Sequence, residues 1–233
     1  MLFSPQIVAR APLVREVRSF AFVASYQDIN TTASTDFTNV DIGAPSATRV
    51  IALGVAMGNG TANTTTVSSV TINGVSATRR VVAQRDSSGV NVAEASIWTA
   101  AVPTGSSVTV NVTASASLSS ASFRAIFVYR YVGGTEVPSA TATTTGTSST
   151  STTINCPAGG NILGVGAYML TDTNETAGSA SKSYAAAQTG LTVGFTGSSG
   201  NIAWTELTED SEQDMAEVIS GSQRSALVAA SFS

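Results

Sequence analysis

The stretch 69-SVTINGVSATRR-80 decides the fold class. Asn73-Gly74 is the strongest short-range hairpin signal, because a two-residue type I′ turn needs positive φ at both central positions. The register that follows pairs Ile72 with Val75 and Val70 with Ala77. Those four residues then share one face, expected to enter a core, while Thr71 and Ser76 point the other way.

The same period of two runs outward along most of the chain. "SFAFVASY" places Phe20, Phe22, Ala24 and Tyr26 on one face. "ATRVIALGVAMG" is an apolar run ending in the turn-like "GNGTANTT". "EASIWTAAV" stops at "PTGSS", a turn with Pro103 and Gly105, before the clean alternation of "VTVNVTAS". In "ASFRAIFVYRYV" one face carries Phe123, Phe127, Tyr129 and Tyr131. The other carries Arg124, Ile126, Val128 and Arg130, whose arginines are expected to snorkel on a solvent face or meet a subunit or the acidic segment. "INCPAGGNILGVGAYML", "GLTVGFTGSS", "NIAWTEL" and "SALVAASFS" supply the later strands. "TEDSEQDMAEVIS" has a short helical spacing at Met215, Val218 and Ile219, and is read as a loop.

These signals predict an all-β, jelly-roll-like antiparallel β-sandwich with an extended N-terminal arm over 1–18. The sandwich occupies 19–233. An internal echo, "VDIGAPSATRVIALGVAM" against "INCPAGGNILGVGAYM", suggests two related halves, about 19–137 and 154–233. The Ser/Thr-rich tract 139–153 would join them as an edge strand crossing between sheets, a linker being the alternative. A true tandem repeat of two domains is the alternative.

Composition excludes several kinds of chemistry. The chain has 233 residues, enough for a core without disulfides, and a single cysteine, Cys156. No histidine is present, which rules out an internal Ser-His-Asp or Cys-His centre and removes the commonest zinc ligand. Charged residues are only 11% and the net charge is −4, with one lysine, Lys182, so duplex nucleic acid is not an expected partner. No apolar run is long enough for a membrane span, and the arginines at 10, 15 and 18 argue against a secretory signal.

Candidate sites are few. Glu206, Glu209, Asp210, Glu212, Asp214 and Glu217 are six of the fifteen acidic residues. They lack the glycine and distal glutamate of an EF-hand loop, so a solvated acidic loop is expected rather than a calcium site. Trp98 and Trp204 lie in apparent strands and are read as core rather than sugar platforms. Cys156 has no activating base and is read as inert. No catalytic residue, cofactor or metal is assigned.

The hairpin, "ASIWTAAVPTGSSVTVNVT", "FRAIFVYRYV", "CPAGGNILGVGAY" and "WTELTED" together resemble β-sandwich virion-associated proteins of tailed bacteriophages and prophages, especially those of α-proteobacteria. The resemblance spans roughly Val40 to Ser233. It implies a virion structural protein made in the host bacterial cytoplasm, of the tail-fibre or tail-tip class, contributing to host-surface attachment by binding rather than catalysis. Capsid decoration is the alternative, and a bacterial surface carbohydrate-binding module a further one. The implied partners are other virion proteins, further copies of the chain as a homotrimer, and a host-surface glycan or protein. The apolar arm residues Leu2, Phe3, Ile7, Val8, Leu13 and Val14 are expected to dock on a neighbour. The working surface is expected in exposed loops carrying Asn59, Thr61, Asn63, Arg85, Asp86 and Asn91.

Overall fold

The computed structural model describes residues 18–60, 65–87, 90–119, 122–146, 149–157, 160–170, 181–184, 189–195, 198–206, 211–218 and 223–233. The arm residues Leu2, Phe3, Ile7, Val8, Leu13 and Val14 lie outside them, as do Thr61, Asn63, Glu209 and Asp210.

Antiparallel strands alone build the described chain. The first half contains β1 (Ser19–Asp28), β2 (Ser34–Asp41), β3 (Arg49–Asn59), β4 (Val67–Ile72), β5 (Val75–Ser76), β6 (Thr78–Ser87), β7 (Val90–Ala101), β8 (Ser107–Ala114) and β9 (Phe123–Val132). The second contains β10 (Ala140–Gly146), β11 (Ser149–Cys156), β12 (Asn161–Leu170), β13 (Ser181–Tyr184), β14 (Thr189–Phe195), β15 (Ser198–Glu206), β16 (Ser211–Val218) and β17 (Gln223–Phe232).

The first half forms an inner sheet of order β1-β9-β3-β7-β6 and an outer sheet of order β2-β8-β4-β5. The chain passes from one sheet to the other at nearly every connection, which is the winding of a jelly roll. The second half repeats it. Its inner sheet runs β10-β17-β12-β15-β14 and its outer sheet β11-β16-β13. Matching β1 to β10, β3 to β12, β6 to β14, β7 to β15 and β9 to β17 reproduces the first inner order strand for strand. The protein is therefore a tandem pair of jelly rolls.

Among the described residues, three apolar cores separate four layers. Ile51, Leu53, Val55 and Met57 of β3 meet Val70, Ile72, Val110 and Val112 of the first outer sheet. On the opposite face, Val50, Ala52 and Ala56 belong to a core shared with Leu163, Val165, Ala167, Val228 and Phe232 of the second inner sheet. A smaller core, with Ile154, Cys156, Ile162 and Leu227, lies under the second outer sheet. Every residue of β3 is buried, because a strand covered on both faces must be apolar on both. That is why "VIALGVAM" reads as a run rather than an alternation.

The opening hairpin forms as expected, with Asn73 at φ 53° and Gly74 at φ 76°. Ile72 pairs with Val75, and Ala77 donates its backbone N–H to Val70 O at 2.9 Å. Val70 and Ile72 are buried, but Val75 is 42% exposed: the two-residue strand β5 reaches past the core edge.

The Ser/Thr tract crosses between sheets as expected, supplying β10 at the edge of the second inner sheet and most of β11 at the edge of the second outer sheet. Three further expectations change. A register shift between Phe22 and Ala24 reverses the alternation of β1. Phe20 and Phe22 therefore pack on the shared core, while Val23 and Tyr26 turn to the first outer sheet. One inserted residue suffices, because the side-chain period is two. Arg124 is not on a solvent face but fully buried. Finally, residues 211–218, read as a loop, form β16, hydrogen-bonded to β11 on one side and β13 on the other. Ladders on both sides provide partners for the backbone groups that a loop would leave to water. Glu212, Asp214 and Glu217 thus pair with Asn155, Thr153 and Thr150, and Glu217 also with Lys182.

Candidate functional site

One end of the first jelly roll brings together the turn after β1 (29–33), the two ends of the β3–β4 connection (Gly60 and 65–66), and the segment after β8 (115–119). Buried polar side chains from the first inner sheet hold all three.

Asn59 ends β3 and is wholly buried, so it is not the exposed loop residue expected from sequence. Its Nδ2 donates to Thr65 Oγ1 at 3.0 Å, which closes the β3–β4 connection. Its Oδ1 accepts the Ser119 backbone N–H at 3.1 Å and the Ser122 hydroxyl at 2.9 Å. Gly60 N–H donates to Ser119 Oγ at 3.1 Å. Thr66 and Ser115 exchange two bonds, Ser115 N–H to Thr66 O at 2.8 Å and Thr66 N–H to Ser115 Oγ at 3.1 Å. Leu118 is buried beneath and donates its N–H to Thr31 O at 2.8 Å.

Arg124, at the start of β9, grips the turn after β1. Its guanidinium donates to Thr35 Oγ1, Thr32 O and, at 3.2 Å, Ala33 O. Asp28 lies 3.9 Å away and accepts the Thr35 hydroxyl at 2.8 Å. Burial pulls the Arg124 pKa down and the Asp28 carboxylate opposes it. Arg124 is thus a loop clamp, whose charge is met by carbonyl oxygens and one nearby carboxylate.

Glu94 of β7 is fully buried and missed by sequence reasoning. Its Oε2 accepts the Val67 backbone N–H at 3.0 Å, and its Oε1 has no hydrogen-bond partner among the described residues. Arg79 of β6 donates from Nη1 to Val67 O at 3.1 Å and lies over the Trp98 ring, 5.4 Å from its centroid. Both backbone groups of Val67 are therefore held by side chains of ionisable residues, Glu94 and Arg79. Burial raises the Glu94 pKa to about 7, against smaller opposing effects of the Val67 N–H, Arg79 and Ser96. The available sequence signal was a glutamate inside "NVAEASIW", where it shares a face with Val92 and Trp98.

The remaining expected loop residues do not gather here as a loop. Arg85 and Asp86 stand on β6 and Asn91 on β7, with Ser87 paired to Val90. Trp98 is core, as expected, at 4% exposure, and its indole N–H donates to Ser96 Oγ at 3.0 Å. Trp204 pairs in register with Leu163. Cys156 is buried.

The opposite end is fastened by Arg49, which is 1% exposed. Nε donates to Val102 O at 2.6 Å, Nη1 to Gly43 O at 2.7 Å, and Nη2 to Thr104 O at 2.8 Å and Gly105 O at 2.7 Å. Arg130 joins it, donating from Nε to Ala44 O at 2.8 Å. Burial, and then the charge of Arg130, lower the Arg49 pKa.

Fold and site together define a tandem jelly-roll protein with loops pinned from inside. No family model, curated protein or solved structure matches the chain. Among the described residues, no group of three or more Cys, Asp or Glu side chains is placed to hold a metal ion, and no helix is long and apolar enough to cross a membrane.

Proposed function

We propose that the chain is a bacteriophage virion structural protein of the tail-fibre or tail-tip class, contributing to host-surface attachment by binding rather than catalysis. The observation that carries this reading is the loop end of the first jelly roll. There Asn59, Glu94 and Arg124 spend their polar groups on backbone and hydroxyl partners of three surface segments. A face held so from below is preorganised, and preorganisation lowers the ordering cost of binding. The hydroxyls and amides of Asn30, Thr31, Ser115 and Ser117 suit a host-surface glycan or a polar protein surface. The resemblance of the hairpin and its neighbours to virion-associated β-sandwich proteins supports the particle setting. Further copies of the chain, as a homotrimer, would multiply weak contacts into avidity.

Immunogold labelling of purified particles with an antibody to this chain tests the reading. Label on the tail, together with binding of the purified protein to host cells, is the expected result. Label on the head would shift the role to capsid decoration, and absence of label from all particles would overturn it.

A further inference from the structure

Glu94 sits on one cross-strand row of the first inner sheet, Asp28–Arg124–Met57–Glu94–Gln84. Met57 separates it from Arg124, whose guanidinium is occupied with the turn after β1. The charged groups that face Glu94 are thus Arg79 from β6 and, beyond Met57, Arg124 from β9. In the first outer sheet β4, β5 and β8 carry no titratable side chain, and Asp36 and Asp41 of β2 are exposed to solvent. Residues 60–66 and 115–122 carry no titratable side chain either.

The carboxyl group is therefore a buried acid with one oxygen unpartnered and no direct ion pair among the described residues. Its other oxygen holds the amide of Val67, the first residue of β4. That residue borders an irregularity, since the β4–β8 register shifts between Val67 and Ser69. A strand start beside a bulge has few ladder bonds to lose. Thr66, one residue earlier, is bonded to Ser115 in both directions.

We propose that Glu94 is a pH-sensitive latch on the loop end: protonated, it stays buried and holds the start of β4 closed; ionised, it favours a locally open state in which Val67 and the 65–66/115–119 contacts are released. The reason is linkage. A carboxylate that is costly in the closed state and ordinary in an open one shifts the equilibrium toward opening as pH rises. With the closed-state value near 7 and an open-state value near 4.5, the opening constant rises by up to about 300-fold. The latch holds whatever the loop end binds, and so stands apart from the virion reading.

Amide hydrogen exchange on the full chain tests it, measured from pH 5 to 8 and corrected for intrinsic chemistry. The protection of Val67 and Ser115 in the wild type is expected to fall at least tenfold, while Leu53 in the middle of β3 stays constant. Glu94→Gln, which keeps an acceptor for the Val67 N–H, is expected to show no such fall. The same pH dependence in both proteins, or none in the wild type, overturns the latch. If the variant does not fold, the carboxyl carbon resonance of Glu94 in the wild type decides. Titration near pH 7 supports the latch and titration below pH 5 refutes it.

Discussion

Replacing Arg49 by methionine removes a clamp without removing its apolar stem. Four donor–acceptor distances of 2.6–2.8 Å are lost, to Val102, Gly43, Thr104 and Gly105. Bonds to a charged group contribute about 1.5–3 kcal/mol each, so the gross loss is roughly 6–12 kcal/mol. Against this stands the desolvation of the guanidinium, several kcal/mol for a buried ion. Part of the loss is also recovered because Gly43, Thr104 and Gly105 lie in exposed loops that can turn their carbonyls to water. The net cost comes to about 3–5 kcal/mol. Urea unfolding followed by Trp98 fluorescence in a Trp204→Phe background reads the first jelly roll. The midpoint should fall by that amount divided by the m-value, with m unchanged. Arg49→Lys should recover less than half, since three donors on a point charge cannot span carbonyls from two loops. A loss below about 1 kcal/mol for Arg49→Met would refute the clamp argument.

The pH dependence of stability follows from Glu94. Its folded pKa, about 7, lies above its ordinary value, so its contribution is fully present below pH 4.5 and lost as pH rises through 7. Glu94→Gln should equal the wild type near pH 4.5 and exceed it by up to about 3 kcal/mol at pH 8, read by urea unfolding at both pH values. Gly134→Ala drives a Cβ into the Tyr131 ring, and Tyr131 is wedged among Phe20 and Phe232 at centroid distances of 5.6 and 5.9 Å. A loss of about 2–3 kcal/mol is expected, seen as a lowered Tm and a changed near-UV aromatic signal. Val75→Ser should change stability by less than about 0.5 kcal/mol, whereas Ile72→Ala two strand positions before the turn's end should cost about 2–5 kcal/mol, both by chemical denaturation.

Where the local code is strong, the sequence was legible. Asn73-Gly74 specified its own turn, and the alternation of β9 placed Phe123, Phe127, Tyr129 and Tyr131 correctly on the shared core. Failures came where one residue of register matters. The extra residue between Phe22 and Ala24 turned Tyr26 to the other face, where its hydroxyl accepts the Asp41 N–H at 2.8 Å. The internal echo led to the right pair of strands through a misleading match. "LGV" recurs at 53–55 and 163–165, yet Leu53 faces the first outer sheet and Leu163 the first inner sheet. The loop end was sought in Asn59, which does belong to it, but as an internal pin rather than a contact residue. Nothing local separates a snorkelling arginine from a clamping one: Arg124 needed the carbonyls of Thr32 and Ala33, 92 and 91 residues away, to define its role.

The core between the inner sheets makes the two jelly rolls mutually dependent. A break in the chain at 133–139 would leave each piece with its own winding but with one apolar sheet face bare. The first would expose Phe20, Val50, Phe127 and Tyr129, and the second Leu163, Val165, Val228 and Phe232. Expressed apart, the pieces should be poorly soluble. Expressed together, they should find each other, because each is the other's missing layer. The chain is thus a natural candidate for splitting into two fragments whose reassembly reports their meeting.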